Sequence, residues 1–484
     1  MNFLSNTQKY TLAGILMGIV ILSVFFPFPI HIENALTLET VPDFGIHISV
    51  WKTLFEPVLG LLLFYNRSFH SLTEMRLLLF WVLAVFIVYS LIKSFLIKNK
   101  QKRSRFVVIQ LVNIPIVIGL WFVVFVIIVF IPLPNNTIIN NSPNSVLVTT
   151  HSHTQFSHDG LISQEGLWKW HKRNGFDAFF ITDHNNHDQT FDFVQAQRNN
   201  KFPQEPLVIC GEEFSGSNHL SLLGLKEKFS TKGISDSTAI RLAHAANNAV
   251  IANHWFDGER NSLEYYKNLN VDGFEIENSG TDLTYERDVY QKIKDFCGRN
   301  ALIMNGGLDF HGYGNACSLW NAFEIPGWKN LTPVLKEEAI LNILKTHDQS
   351  KLKVLLYKDR PYYTKRYLLF SPVFTFINYF RTLNSYQVTS WIFWILVMTW
   401  VINIDDKKNR VAKQSASQRF IPVLGVIGAL FLVSLGAVYY AQIKMIEDYT
   451  KMYHEYSELL FYVGTVFLVY SGVVLFFRNF NRKG

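Results

Sequence analysis

The stretch His151-Ser-His-Thr-Gln-Phe-Ser-His-Asp-Gly160 decides how this chain reads. It follows the run Ser145-Val-Leu-Val-Thr-Thr150, whose apolar and β-branched residues predict a strand. Side chains alternate faces along a strand, so His151 and His153 point to one face. One rigid backbone then offers two neutral nitrogen ligands to a borderline divalent ion such as zinc. His158 and Asp159 follow within reach. Downstream come Thr182-Asp183-His184, Gly211-Glu212-Glu213, Asn218-His219, Asn253-His254 and Leu308-Asp309-Phe310-His311. Asp309 and His311 are again two apart. The set reads as one polynuclear metal site.

These clusters belong to a middle domain, residues 144–363, of ordinary globular composition. Strands are predicted at Ser145–Thr150, Ala178–Thr182, Leu207–Cys210, His219–Gly224, Val250–Asn253, Gly273–Glu277 and Leu302–Asn305. Helices are predicted at Gln164–Asn174, Ser237–Asn247, Asp282–Arg299 and Lys336–Lys345. Such alternation predicts parallel strands in an α/β barrel or doubly wound sheet. Most of the polar clusters fall just after strands, where those folds gather their functional residues. His244 reads as a structural residue of its helix, and His171 and His187 as surface residues. Asp272, Glu275 and Glu277 read as strand-end polar residues, with Glu275 a candidate to orient a ligand.

The flanks are different. The chain has 41 Phe, 21 Tyr and 11 Trp but only 17% charged residues, and the apolar residues concentrate before residue 132 and after about residue 385. Stretches near the ~20 residues that span a bilayer run Tyr10–Ile30, Arg76–Ile97, Phe106–Ile131, Val388–Ile404, Phe420–Ala441 and Leu459–Phe477. Tyr10–Ile30 has no cleavage site before Pro27 and Pro29 and reads as a retained anchor. Ile46–Tyr65 carries Lys52 and Glu56, charges costly at mid-bilayer, and reads as re-entrant or interfacial. The organisation expected is a membrane region at 1–132, a linker at 133–143, the middle domain, and a membrane region at 364–484.

Lys98, Lys100, Lys102, Arg103 and Arg105 share one short loop; Lys407, Lys408, Arg410, Lys413 and Arg419 share another; Arg478, Arg482 and Lys483 lie in the tail. The positive-inside rule makes all three cytoplasmic and leaves the middle domain outside, in an integral protein of the plasma (inner) membrane with a cytoplasmic C-terminus. Much of the net charge of +7 sits in these loops beside anionic lipid. No basic stripe interleaved with aromatics crosses the middle domain, so a nucleic-acid partner is not expected. Cys210, Cys297 and Cys317 allow one disulfide at most. Oligomeric state is not legible.

In order, the chain presents His-x-His-Thr-x-x-Ser followed by Asp-Gly, then Thr-Asp-His-Asn, Gly-x-Glu, His-Leu-Ser-Leu-Leu-Gly, an Asn-His and Gly-x-Asp-x-His. This series resembles the polymerase-and-histidinol-phosphatase (PHP) superfamily, over about residues 145–363. The resemblance implies a distorted (β/α)7-type barrel, two or three divalent metal ions (zinc, manganese or iron) and phosphoester hydrolysis. It implies metal ligands at His151, His153, His184, Glu213, His219, His254, Asp309 and His311, with Glu213 bridging two ions. Where the superfamily runs Ser-Asp-Gly, His158 stands before Asp159, so either could reach the metal, Asp159 ahead. Glu212 and Glu213 point to opposite strand faces, and the family spacing favours Glu213.

The chemistry follows from the charges. A phosphoester anion repels hydroxide, whereas clustered divalent ions lower the pKa of a bound water from ~15.7 to about 7 and neutralise phosphoryl oxygens. No nucleophile elbow and no phosphate-cradling glycine loop occurs, so a metal-bound hydroxide is the expected nucleophile. Asp159, His158 or Asp183 is positioned in sequence to protonate the leaving alkoxide, and Arg260 is a candidate phosphate clamp. The expected activity is hydrolysis of an extracytoplasmic phosphomonoester or diester, on a phosphorylated small molecule or a lipid-linked substrate. The competing class is a non-catalytic, metal-stabilised ectodomain acting as sensor or scaffold, for which the short inner loops provide no receiving domain.

Overall fold

The computed structural model describes residues 6–65, 71–257, 261–278, 287–314, 317–361, 365–408, 410–444 and 451–480. The N-terminal part consists of α1 (Asn6–Phe25), β1 (His31–Asn34), β2 (Phe44–His47), α2 (Val50–Leu54), a π-helical turn (Glu56–Gly60), α3 (Leu61–Tyr65), α4 (Ser71–Leu96) and α5 (Lys100–Phe130). The middle runs β3 (Thr137–Asn140), β4 (Ser145–Thr149), α6 (Gln164–Arg173), β5 (Ala178–Ile181), α7 (Asp188–Arg198), β6 (Leu207–Ser215), β7 (His219–Leu223), α8 (Asp236–Ala245) and β8 (Ala249–Ala252). It continues with α9 (Leu263–Asn268), β9 (Gly273–Asn278), α10 (Arg287–Asn300), β10 (Ile303–Gly307), β11 (Leu319–Glu324), α11 (Pro333–Lys345) and β12 (Leu352–Lys358). The last part is α12 (Ser371–Arg381), α13 (Ser385–Lys408), α14 (Arg410–Ile443) and α15 (Lys451–Phe480).

Ten of these strands form one curled sheet in the order β1-β12-β11-β4-β5-β6-β7-β8-β9-β10. The pairs β4–β5, β5–β6, β8–β9 and β9–β10 are parallel, whereas β7 runs against both neighbours and β11 against β4 and β12. The strands therefore depart from the simple strand–helix alternation expected of a (β/α)7 barrel. The reason is local. Only Gly216, Ser217 and Asn218 separate β6 from β7, and a link that short can make a hairpin but no parallel crossover.

The period of two separates two cores. Leu147, Phe179, Ile181, Val208, Val250 and Phe274 pack under α6 to α10. Val146, Val148, Phe180, Ile209, Ile251 and Ile303 point the other way and converge on Ile340, Leu341, Ile343 and Leu344 of α11. Side chains from strands across the sheet can meet on one helix only if that face is concave, so α11 fills the inside of the curl. Across the gap from β10 to β11, the Asn321 amide accepts from Gly306 N–H and donates to its C=O, both at 2.7 Å. A Cβ at Gly306 would lie within 3 Å of Leu319 and Val354, so this approach requires glycine. Serine or threonine caps start α6, α8, α9 and α11, each side chain accepting from the backbone N–H three residues on.

Residues ahead of the middle domain complete it. β1 pairs antiparallel with β12, and β2 pairs with β3, which lies inside the 133–143 segment. Among the described residues four helical stretches are long and apolar enough to cross a membrane: Glu74–Leu96, Lys100–Phe130, Phe420–Ile443 and Lys451–Arg478. α5, α14 and α15 pack together around Ile116, Val123, Leu432, Leu460 and Phe467. Gly119 sits against the Phe467 ring and Gly464 against Val433, a close approach typical of helices packed in lipid. Ile46–Tyr65 breaks into short pieces in which the buried Lys52 ammonium lies 3.3 Å from Glu56 Oε1. Cys210, Cys297 and Cys317 are all buried.

His171 and His187 are not surface residues; both are buried. The His171 ring stacks flat on Phe179 at 4.1 Å and donates from Nδ1 to the Leu167 carbonyl at 2.9 Å, while Nε2 has no hydrogen-bond partner. Burial outweighs that carbonyl and pushes the His171 pKa from 6.5 down to about 3. Its ordinary value governs the unfolded chain, so the unfolded state takes up the proton first. The stability contribution is whole above pH 6.5 and falls as pH drops from there toward 3. Replacing His171 by Phe should therefore raise the thermal midpoint of the full chain relative to wild type by an amount that grows between pH 7.5 and pH 5. An offset independent of pH would refute this account.

Candidate metal centre

The strand ends converge on Glu213. β6 does not stop at Cys210 but continues through Ser215 as one arm of the hairpin, with Glu213 opposite Ser221 and Ser215 opposite His219. Adjacent residues on that arm face opposite ways. Glu212 points outward, where its carboxylate meets the His187 ring and the Thr231 hydroxyl. Glu213 points into the site and is fully buried. Its Oε2 lies 3.1 Å from His151 Nε2, 3.2 Å from His153 Nε2 and 3.3 Å from His184 Nδ1. Its Oε1 lies 3.1 Å from His219 Nδ1 and 3.2 Å from His254 Nε2.

Asp309 Oδ1 approaches the same pair of imidazoles, 3.2 Å from His151 Nε2 and 3.1 Å from His153 Nε2. Asp159 Oδ2 lies 3.2 Å from His184 Nε2 and 3.1 Å from His311 Nε2. His158 stays at the rim, its side chain 61% exposed and its Nε2 3.8 Å from Asp159 Oδ2, so Asp159 is the residue brought into the cluster. Asp183 is not brought there. Both its oxygens are engaged by Thr154, at 2.6 Å by the backbone N–H and 2.7 Å by the hydroxyl, and it ties the 151–160 loop to the end of β5. Burial raises its pKa to about 6 against the pull of those bonds. Arg260 lies outside the described residues.

Among the described residues three overlapping groups of ligand atoms lie close enough together to suit a metal ion: His151, His153, Glu213 and Asp309; His153, Asp159, His184 and His311; and His184, Glu213 and His219. They share His153, His184 and Glu213. Ligands ~2.1 Å from one ion, at angles between octahedral and tetrahedral, stand about 3.0–3.4 Å apart, which is the spacing observed. Glu213 Oε2 and His153 Nδ1 are buried with no hydrogen-bond partner. A buried carboxylate oxygen facing three imidazole nitrogens is costly for a protein to leave unsatisfied, and a divalent cation satisfies it. The residues fit the ions. Burial alone would raise the carboxylates, yet the facing histidines hold Glu213 and Asp309 well below the usual carboxylate range.

The surrounding residues fix the ligands in place. Glu275, legible in the sequence only as a strand-end carboxylate, is fully buried. Its Oε1 lies 2.8 Å from His151 Nδ1, and its Oε2 accepts the His254 backbone N–H at 3.0 Å. Holding a proton on Nδ1 turns the lone pair of His151 Nε2 toward Glu213 and Asp309. Gly307 makes room, since a Cβ there would fall on the Glu275 carboxylate. Asn253 Nδ2 donates to Glu213 Oε1 at 2.8 Å, the Ser215 hydroxyl meets His184 Nδ1 at 3.0 Å, and the Ser157 hydroxyl donates to Asp159 at 2.6 Å. Asp309 and His254 adopt φ of 51° and 24°, left-handed conformations that cost energy and recur at functional sites.

The profile of the PHP domain family matches residues 149–293. The chain carries a PHP domain. The matched part of the PHP domain holds seven of the cluster residues, from His151 to His254, while Asp309 and His311 lie beyond it. A comparison with curated proteins finds no match. Among solved structures, one similar chain is a two-domain protein of Bacteroides vulgatus containing a predicted PHP-like metal-dependent phosphoesterase; identity is 14% over 44% of this chain and 65% of that one, with a TM-score of 0.33. A protein of Bifidobacterium adolescentis described as a candidate metal-dependent phosphoesterase is 17% identical over 35% of this chain and 90% of its own, with a TM-score of 0.28. PsfC from Pseudomonas syringae is 16% identical over 49% and 98%, with a TM-score of 0.33.

Glu275 supplies the test of this geometry. Glu275→Gln keeps the side chain's size but removes its charge, and should weaken divalent-ion binding by about 10–100-fold. Competition with a chromogenic chelator on the full-length protein measures this. Unchanged affinity would mean that Glu275 does not tune His151.

Proposed function

We propose that this chain is a membrane-embedded, metal-dependent phosphoesterase whose PHP domain lies outside the cytoplasm. The observation that carries the reading is Glu213 Oε2, set among three histidine nitrogens at 3.1–3.3 Å. That arrangement suits a carboxylate shared by neighbouring cations. The four apolar helical stretches support embedding, and the basic residues at the starts of α5 and α14 support the orientation.

Divalent ions held by the three ligand groups would make a water acidic at neutral pH and neutralise phosphoryl oxygens. The chain's own residues do the rest. Glu275 holds the proton of His151 on the far nitrogen. The buried floor of His151, His153 and Glu213 keeps bulk water from that side, while Asp159 and His219, with side chains 28% and 36% exposed, mark the open side. His158 stands there, beyond the ligand set, placed to pass a proton to the departing alkoxide. Of the three candidate proton donors it is the one left for that role, because Asp159 faces His184 and His311 and Asp183 is buried on Thr154.

Detergent-purified protein given zinc, manganese or iron should hydrolyse generic phosphomonoesters or phosphodiesters, and His153→Ala should remove the activity. A metal-loaded, folded protein inert on every such ester would favour the non-catalytic ectodomain instead. His158→Ala should lower kcat by about 10²-fold or more for alkyl esters. The same substitution should cost far less with a nitrophenyl ester, whose leaving group departs without a proton. Equal losses on both esters would remove His158 from the proton-donor role.

A further inference from the structure

The loop that leaves β10 carries two cluster residues, Asp309 and His311, and then runs directly onto the helical bundle. Gly314 N–H donates to the Val129 carbonyl at 2.8 Å, in the last turn of α5. Between them stands Tyr313. Its ring centroid lies 5.8 Å from that of His311 on one side and 6.4 Å from that of Phe130 on the other. Phe130 in turn packs against Tyr456 at 4.9 Å and Tyr439 at 6.1 Å, and Tyr439 against Tyr453 at 5.8 Å. Phe130, Tyr439, Tyr453 and Tyr456 occupy the same end of α5, α14 and α15, three of the helices able to cross a membrane.

A ring of tyrosines at the ends of apolar helices marks the membrane–water interface. The headgroup layer beyond the hydrocarbon is about 5–8 Å deep on each side. One tyrosine ring therefore bridges His311 and the end of α5; with that end at the interface, the rim of the metal cluster would stand at the height of lipid phosphates. The rim at this point is the partly open one: the Asp159 side chain, 28% exposed, faces His311.

Resting on the phosphoesterase reading above, we infer that the substrate is a phosphoester carried on a lipid anchor, its phosphate presented to Asp159, His311 and Tyr313 from the headgroup layer while its chains stay in the bilayer. The reaction is hydrolysis. Water oxygen bonds to phosphorus, the ester P–O bond breaks, and the alcohol leaves with the proton. Bilayer anchoring confines the phosphate to the layer that the site faces, so turnover is governed by its surface fraction.

The test uses the full-length protein in detergent–phosphatidylcholine mixed micelles with manganese or zinc. It compares phosphatidic acid with glycerol 3-phosphate, and phosphatidylglycerol with glycerophosphoglycerol. The expected result is a kcat/KM for at least one lipid about 10²-fold or more above its soluble partner, the gain typical of a tethered encounter. The rate should follow mole fraction in the micelle at constant bulk concentration, and Tyr313→Ala should lower the lipid-to-soluble ratio. An uncleavable phosphonate analogue of the preferred lipid, in nanodiscs, should co-purify with wild type and less with Tyr456→Ala. Soluble esters turned over as well as their lipid partners would overturn this inference and leave the phosphoesterase reading standing. Turnover of neither kind would overturn both.

Discussion

The molecule depends on one electrostatic arrangement: Glu213, fully buried, with histidine nitrogens against both of its oxygens. Burying a carboxylate costs several kcal/mol unless its charge is met. The protein meets it with imidazoles and, in the proposed enzyme, with divalent ions. Every element near the site serves to keep those groups from relaxing apart. Asp309 and His254 are held in left-handed backbone conformations, Glu275 locks both His151 and the backbone of His254, and Thr154 anchors the 151–160 loop through Asp183. Such constraints make a site rigid before its ions arrive. That rigidity is what allows metal affinity to be set by geometry rather than by reorganisation.

The sheet provides the rigidity. Because α11 fills the concave face and α6 to α10 cover the convex one, successive side chains of each strand are buried on opposite sides. A one-residue slip in any strand would exchange those sides and is strongly disfavoured. At the strand ends the same alternation sends Glu213 inward to the histidines and Glu212 outward to His187 and Thr231. Two adjacent carboxylates thereby serve two separate polar networks, one chemical and one structural.

Much of this was legible in the sequence because it depends on short periods. The two-residue spacing of His151 and His153 predicted a shared face, and their rings stand 5.0 Å apart in the cluster. The apolar runs at Ala178, Leu207, Val250 and Gly273 became β5, β6, β8 and β9. What escaped depended on partners distant in sequence. The polar stretch after Cys210 reads as the end of a strand, and only the return of β7 makes it a hairpin. β1 and β12 are separated by more than three hundred residues and pair through backbone groups that no side-chain pattern reports. His171 and His187 read as surface residues because polarity is a weak guide where a ring can stack on Phe179 or meet a buried carboxylate. Asp183 sits in a metal-site motif yet serves the backbone of its own neighbourhood, a distinction that spacing alone does not carry.

The pairing of β1 with β12 also binds the PHP domain to its helices. β12 would otherwise end the sheet with a row of unsatisfied backbone groups, and an uncovered edge of that kind invites pairing with other chains. The strand that covers it comes from between α1 and α2, while the loop after β10 hydrogen-bonds to α5. The domain is thus tied to the helices at two places, by a sheet edge continuous with α1 and by the loop that bears two cluster residues and meets α5. A linker alone would let the domain turn freely relative to its helices. Two ties of backbone hydrogen bonds remove that freedom, and they hold the open rim at Asp159 and His311 beside the ends of α5, α14 and α15. The orientation of the site relative to the bundle is therefore built into the same hydrogen bonds that complete the fold.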